Sequence, residues 1–64
     1  MKIIRVIDKY NLYKEWIIKK YSNGTYYFNQ VVYGTKLNKK FTRTTKKYLI
    51  DVLGKEVIKK CLDS

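Results

Sequence analysis

The sequence predicts an α+β fold in which a three-stranded antiparallel sheet packs on one C-terminal helix, in the order β-β-β-α. Two glycine turns separate runs that are rich in aromatic and β-branched residues, the residue types that favour strands. Beyond the last of these runs, the apolar residues recur at helical spacing instead. With 64 residues, the chain has the size of one small domain, and residues 1–64 are predicted to form it.

The first turn is predicted at Ser22-Asn23-Gly24-Thr25. Asn-Gly between two strand-like runs is the strongest short signal for a two-residue hairpin loop with a type I′ turn. The flanking runs predict strands over about residues 12–21 and 25–33.

The second turn is predicted at Gly34-Thr35, where a glycine in the first central position is typical of a type II′ turn. A third strand over about residues 36–43 follows it. The first ten residues contain several β-prone side chains but alternate poorly, so a fourth strand in front of the other three is left open.

The C-terminal third predicts a helix over about residues 45–62. Thr44 or Thr45 is an acceptable N-cap, and leucine, isoleucine and valine recur behind it with lysines between them. Gly54 lies in the middle, where it costs about 1 kcal/mol relative to Ala. One helix is favoured, kinked or broken at Gly54; in the alternative, a first helix ends at Leu53 and a short second one starts after it.

The two predicted turns set a register that sorts the side chains of the sheet onto two faces. The face assigned to the core, beneath the helix, carries Ile17, Tyr26, Phe28, Val32, Leu37 and Phe41. The opposite face mixes cations, amides and aromatic rings, and is assigned to the outside. A slip of one residue in either hairpin would exchange the faces. A second alternative keeps the predicted register: Trp16, Ile18 and Val31, which share the outer face, form a small core of their own beneath the N-terminal segment.

The charge of the chain indicates its partner. Fifteen Lys and Arg residues stand against five acidic ones, a formal net charge of +10. Such an excess repels itself and favours a polyanion. Cations neutralise phosphates, amides and hydroxyls read base edges, and aromatic rings stack on bases. We therefore predict binding of nucleic acid, DNA before RNA, through the outer face, by Lys14, Trp16, Lys20, Tyr27, Asn29, Tyr33, Asn38, Lys40 and Thr42.

Other classes of function find little support in the composition. The chain has no His, and its acidic residues are scattered, so no catalytic site, metal site or cofactor is predicted and the chain is not expected to be an enzyme. A single cysteine, Cys61, allows no internal disulfide. No run of apolar residues reaches the length of a membrane span, and charges interrupt the first apolar run before it could act as a signal peptide. We expect a cytoplasmic protein without a membrane partner.

Three short motifs carry a resemblance to a known family. They are Asn23-Gly24-Thr25-Tyr26-Tyr27-Phe28, then Tyr33-Gly34-Thr35-Lys36, then Phe41-Thr42-Arg43-Thr44-Thr45-Lys46-Lys47. The stretch from 23 to 54, about half of the chain, resembles the AP2-like, arm-type DNA-binding domain at the N-terminus of phage and transposon tyrosine integrases. The resemblance implies three strands backed by one helix, with the exposed sheet face in a DNA major groove and contacts from Lys14, Trp16, Tyr27, Asn29, Lys40 and Thr42.

The chain contains no recombinase catalytic set, so the resemblance implies a stand-alone binding module or adaptor of a bacteriophage or mobile element, in the cytoplasm of a bacterial host. A second hypothesis is a phage-encoded protein–protein interaction module that inhibits a host protein by docking on its acidic surface. Tyr and Trp suit protein interfaces as well as they suit bases. The oligomeric state stays open, since an unpaired strand edge permits dimerisation.

Overall fold

The computed structural model describes residues 1–62, in which an antiparallel sheet packs on two C-terminal helices. The strands are β1 Lys2–Ile7, β2 Lys14–Lys20, β3 Tyr26–Val32, β4 Thr35–Lys36 and β5 Thr42–Thr44. They lie in the order β1-β2-β3, and both β4 and β5 pair with β3. The predicted α+β class is confirmed. The strand in front, which the sequence left open, is present, and the predicted third strand is split into two.

The hairpin between β2 and β3 is one residue longer than predicted. The Gly24 N–H donates to the Tyr21 carbonyl at 3.0 Å, and the Tyr21 N–H donates to the Thr25 carbonyl at 2.9 Å, so the loop has three residues. Within the loop only Gly24 has a positive φ, of 84°. A type I′ turn needs a positive φ at both central residues, whereas a three-residue loop needs one glycine in the left-handed region at its end. The predicted type I′ turn is therefore wrong.

The longer loop shifts the register between β2 and β3 by one residue. Ile18 now lies opposite Phe28, and Trp16 lies opposite Gln30. Because side chains alternate along a strand, this shift moves every side chain of β2 to the other face while those of β3 stay where they were predicted. Trp16 and Ile18 thus belong to the core, and the assignment of Ile17 to the face beneath the helices is wrong.

The hairpin between β3 and β4 also differs from the prediction. Its two-residue loop is Tyr33-Gly34, with φ values of 52° and 80°, and Val32 lies opposite Thr35. Positive φ at both central residues is the signature of a type I′ turn. The predicted type II′ turn at Gly34-Thr35 is wrong in type and in position, but the register changes by an even number of residues and β4 keeps its predicted faces.

A bulge separates β4 from β5. The Leu37 N–H donates to the Gln30 carbonyl, and Thr42 lies opposite Phe28, so residues 38–41 occupy the place that one residue would fill in a regular ladder opposite Asn29. We call this segment the 38–41 bulge. Its three extra residues are an odd number, and they invert the alternation of side chains in β5.

The C-terminal region forms two helices, α1 Lys46–Leu53 and α2 Lys55–Leu62. Thr45 is the N-cap of α1, since its hydroxyl oxygen accepts a hydrogen bond of 3.2 Å from the Tyr48 N–H. Gly54 has a φ of 99°, and its N–H donates to the Ile50 carbonyl at 2.8 Å. That backbone conformation is open to glycine and ends α1, so the single helix favoured from the sequence is in fact two helices, separated at Gly54.

The core lies between the helices and one face of the sheet, which we call the helix face. Its buried residues come from β1, β2, β3 and both helices: Val6, Trp16, Ile18, Tyr26, Leu49, Leu53 and Ile58. Phe28 packs against this cluster, as predicted. Three other residues assigned to the core are not part of it. Val32 lies on the helix face but outside the cluster. Leu37 is exposed, and Phe41 lies against Lys19 on the opposite side of the sheet.

Candidate nucleic-acid interface

The sheet face that the helices leave uncovered, here called the open face, carries several cations and an aromatic ring. The register of the five strands places on it Ile3, Arg5, Ile7, Glu15, Ile17, Lys19, Tyr27, Asn29, Val31, Lys36 and Arg43. This set contains four cations and one carboxylate, so the open face is basic. Ile17 and Asn29, which lie opposite each other in its middle, are buried, whereas Arg5, Lys36 and Arg43 are exposed.

The middle of the candidate interface is a row across three strands. Lys19 of β2 lies opposite Tyr27 of β3, which lies opposite Arg43 of β5. The Tyr21 ring meets the Tyr27 ring edge to face, with centroids 5.5 Å apart and planes at 81°. A shallow cleft between the hairpin loop and β5 is lined by Tyr21, Asn23, Thr25, Tyr27 and Arg43. A cleft lined by an arginine and two tyrosines suits phosphate contact together with base stacking.

The 38–41 bulge flanks this row. Phe41 packs beneath Lys19, whose Nζ lies 3.9 Å from the ring centroid, a cation–π contact that holds the base of the bulge against the open face. Lys39 and Lys40 are exposed to solvent at its tip. The bulge therefore adds two cations beside the row, on a segment held at both of its ends.

Asn29 holds the other end of the bulge and is not available for base reading. Its side chain is fully buried, with 0% exposure. Its Nδ2 donates to the Asn38 carbonyl at 2.9 Å, and its Oδ1 accepts from the Gln30 N–H at 2.7 Å. The amide thus replaces ladder hydrogen bonds that the bulge removes. The expectation that Asn29 lies exposed on the outer face is wrong.

At one end of the sheet, the solvent-exposed rings of Tyr13 and Tyr33 stack on each other. The rings of Tyr13 and Tyr33 are nearly parallel, at 18°, with centroids 5.0 Å apart, and the Tyr33 N–H donates to the Tyr13 carbonyl at 3.0 Å. Tyr33 is 74% exposed and has a φ of 52°, in the left-handed region that non-glycine residues rarely adopt. The type I′ turn requires this conformation, and the turn presents the Tyr33 ring to solvent.

Two of the open-face charges neutralise one another. The guanidinium of Arg5 in β1 lies 2.8 Å from the carboxylate of Glu15 in β2. Glu15 is the one acid that the register places on the open face among residues 1–62, so with Glu15 paired to Arg5 the set holds three further cations, Lys19, Lys36 and Arg43, and no further acid.

Trp16 lies away from the open face. Its side chain is 3% exposed, within the core, and its Nε1–H donates to Asp8 Oδ1 at 3.0 Å. The Lys14 ammonium lies 5.2 Å from the Trp16 ring centroid. The expectation that Trp16 is an outer-face residue is wrong, because the register places it beneath the helices.

Asp8 fastens the loop that joins β1 and β2. Its carboxylate accepts from the Trp16 indole and from the backbone N–H groups of Tyr10 and Asn11, each at 3.0 Å. The hydrogen bond from Trp16 is the largest cause that holds the pKa of Asp8 below its ordinary value of 3.8, against the opposing effect of burial. The Lys14 charge lowers the pKa further. The shift comes from contacts that hold the loop, which is a structural role.

The predicted binding residues therefore divide between the two faces. The open face, the sheet end and the bulge hold Tyr27, Asn29, Tyr33, Asn38 and Lys40, whereas the helix face holds Lys14, Trp16, Lys20 and Thr42. Thr42 was expected on the outer face, and the bulge moves it to the other one. The candidate interface therefore uses the same strands as the predicted one, but in β2 and β5 it uses the side chains of the opposite face.

Sequence reasoning missed Lys19, Tyr21, Lys36 and Arg43 as interface residues. A signal for Lys19 was present in β2, where Trp16 and Ile18 bury more apolar surface than Ile17 alone. Weighing that difference would have favoured the three-residue loop and exposed Lys19. The signal for Arg43 was weaker, because it depends on the bulge.

Within residues 1–62, no helix is long and apolar enough to cross a lipid bilayer, and no group of His, Cys, Asp and Glu side chains is arranged to hold a metal ion. Comparison with protein-family models, curated proteins and solved structures gave no significant match for this chain.

Proposed function

We propose that this chain is a small basic nucleic-acid-binding module, with DNA as the first candidate, that binds through its open face. The observation that carries the proposal is the row of Lys19, Tyr27 and Arg43 across β2, β3 and β5. It combines two cations with an aromatic ring on the side of the sheet that the helices leave free.

The physical basis is the release of counterions when lysine and arginine approach phosphates, which supplies most of the sequence-independent affinity for nucleic acid. Lys39 and Lys40 in the bulge extend the basic surface beyond the row. Arg43 also has the planar donor geometry that suits guanine or phosphate. A sheet that presents such groups is of a kind that enters a DNA groove.

The resemblance to the arm-type domain of tyrosine integrases leads to the same proposal, since that family uses the sheet face opposite its helix. The residues proposed here replace most of those first carried over: Lys19, Tyr27, Lys39, Lys40 and Arg43 form the interface, and Trp16 does not take part. We propose a module of a phage or mobile element that acts in the cytoplasm of a bacterial host.

The test is a binding titration on labelled duplex and single-stranded DNA, at low and high salt, with two double variants. The row variant, Lys19→Gln with Arg43→Gln, removes the two cations of the row. The helix variant, Lys47→Gln with Lys55→Gln, removes two exposed charges on the helices, so the two variants have the same net charge. We expect the row variant to lose about tenfold or more in affinity relative to the helix variant. Equal losses, or no binding of the wild type at low salt, would refute the proposal.

A second candidate is a protein–protein interaction module, such as an inhibitor that docks on an acidic surface of a host protein. The exposed aromatic and apolar residues at one end of the sheet favour it: Tyr10, Leu12, Tyr13 and Tyr33. Clustered aromatic side chains dominate protein interfaces. Capture of a protein from nuclease-treated lysate by the wild type, with loss of capture by Tyr13→Ala, would favour this candidate over nucleic acid.

A further inference from the structure

The two edges of the sheet are protected to very different degrees. One edge is formed by β4 and β5, which are two and three residues long and are separated by the 38–41 bulge. Short strands and bulges are the usual protection against pairing with another chain. The other edge is β1, which runs without a bulge for six residues, from Lys2 opposite Lys20 to Ile7 opposite Glu15. The chain contains no proline that could block this edge.

Alternate residues of β1 direct their backbone N–H and C=O groups away from β2, toward the unpaired edge of the sheet. The Asp8 N–H donates to the Lys14 carbonyl at 2.9 Å, so the backbone of Asp8 points toward β2. In an antiparallel ladder, alternate residues point their N–H and C=O groups to the same side. The backbone groups of Ile3, Arg5 and Ile7 therefore point away from β2, toward the open edge.

The side chains at these edge positions offer little protection. Ile3 is 54% exposed and Ile7 is 60% exposed. Arg5 is the one charged residue whose backbone faces the edge, and its guanidinium is held by Glu15 at 2.8 Å, across the open face and away from the edge. An unpaired strand with exposed isoleucines and a diverted charge is a template for another strand.

We propose that the partner is a second copy of this chain, paired antiparallel through β1 to β1 about a two-fold axis perpendicular to the sheet. A two-fold axis near Ile4 places Ile3 opposite Arg5 of the partner subunit, with no like charges directly opposed. An axis at Arg5 would place two arginines opposite each other, which is destabilising. The same strand thus complements itself, as a two-fold interface requires.

This pairing also extends the proposed function. The extension rests on the proposal that the open face binds nucleic acid. A two-fold axis perpendicular to the sheet keeps both open faces on the same side. The dimer would present two rows of Lys19, Tyr27 and Arg43 on one continuous surface, and nucleic acid would be bound as two related half-sites.

The test is sedimentation equilibrium of the full chain without nucleic acid, at low and high salt. The expected mass rises with concentration from 7.7 kDa toward twice that value, and the dimer is favoured at high salt because two chains of charge +10 repel less when screened. Nucleic-acid binding has the opposite salt dependence. Wild type that stays monomeric at high salt over the whole concentration range overturns the inference.

Arg5→Pro is the diagnostic variant, because it removes an edge N–H without breaking a β1–β2 hydrogen bond. Arg5→Ala is the matched control, since it loses the same ion pair and keeps the N–H. We expect the Pro variant to be monomeric and the Ala variant to dimerise, both with the emission of a buried Trp16. Should Arg5→Pro fail to fold, Ile3→Lys takes its place, since an edge lysine blocks pairing.

Dimerisation of a folded Arg5→Pro or Ile3→Lys variant at wild-type strength would overturn the inference. The two proposals fail separately. A monomer that binds DNA refutes the dimer and leaves the function standing, whereas a dimer that binds no DNA does the reverse.

Discussion

The indole Nε1–H of Trp16 donates a hydrogen bond of 3.0 Å to Oδ1 of Asp8, and this bond joins the core to the loop that connects β1 with β2. The other carboxylate oxygen of Asp8 accepts from the N–H groups of Tyr10 and Asn11. The buried tryptophan is therefore satisfied, and the loop beside the exposed tyrosines is held in one conformation.

The Asp8 network makes stability dependent on pH. The folded pKa of Asp8 lies below its ordinary value of 3.8, so the network contributes fully above that value and is lost as the pH falls through the folded pKa. Asp8→Asn lacks the charge at every pH. We expect it to lower the free energy of unfolding by about 1.5–3 kcal/mol at neutral pH.

The measurement is urea unfolding of both proteins at several pH values, followed by Trp16 fluorescence. The gap between wild type and Asp8→Asn should be widest at neutral pH and should narrow in acid. Protonation of the other carboxyl groups affects both proteins alike, so it cancels in the difference. A gap that does not change with pH would contradict the assigned role of the Asp8 charge.

Asn29 is expected to be essential for the bulge. Asn29→Leu has a similar size but leaves the Gln30 N–H and the Asn38 carbonyl without their partner, at about 1–3 kcal/mol for each group that stays buried. Asn38→Ala is the control, because only the backbone of Asn38 takes part in the bond. Denaturant unfolding should show a large loss for the first variant and a change within about 0.5 kcal/mol for the second.

At Tyr33, a destabilising backbone conformation and a stabilising ring stack are expected to have opposite effects on stability. Tyr33→Asn relieves a φ of 52°, worth about 1 kcal/mol, and loses the stack on Tyr13, worth about 0.5–1.5 kcal/mol. Tyr33→Ala loses the stack and keeps most of the strain. Thermal unfolding should therefore rank Asn above Ala, and the reverse order would argue against strain at this turn.

Arg43 is expected to contact a phosphate if the open face binds duplex DNA. Each such contact contributes about 0.9 to the slope of log affinity against log salt. Arg43→Gln should make that slope shallower by about this amount, and Lys47→Gln on α1 should leave it unchanged. A slope that responds equally to both variants would mean that the charge acts through the whole molecule, without a defined face.

Much of the fold is predictable from local sequence. The α+β class, the antiparallel order and a threonine N-cap at 44 or 45 follow from propensities and from backbone conformations that only certain residues adopt readily. Propensity marks Gly54 as a weak point of the helix, whereas the division into two helices is seen only in the structure. The side assignment of Tyr26, Phe28 and Tyr27 in β3 is right for the same reason, because alternation within one strand needs no knowledge of its neighbours.

The sides of β2 and β5 depend on long-range packing. Ser22-Asn23-Gly24 is compatible with loops of two or three residues, and the three-residue loop places Trp16 and Ile18 in the core beneath the helices. Ile17 is then buried on the opposite face, at 6% exposure. Arg43 reaches the open face because Asn29 holds the 38–41 bulge. Local rules therefore determined the α+β class and the strands β2 and β3, because propensity and alternation act within one segment. The tertiary structure decided that β1 pairs as a strand, that the third strand is divided, and which side of each strand faces the helices, because these depend on burial against distant elements.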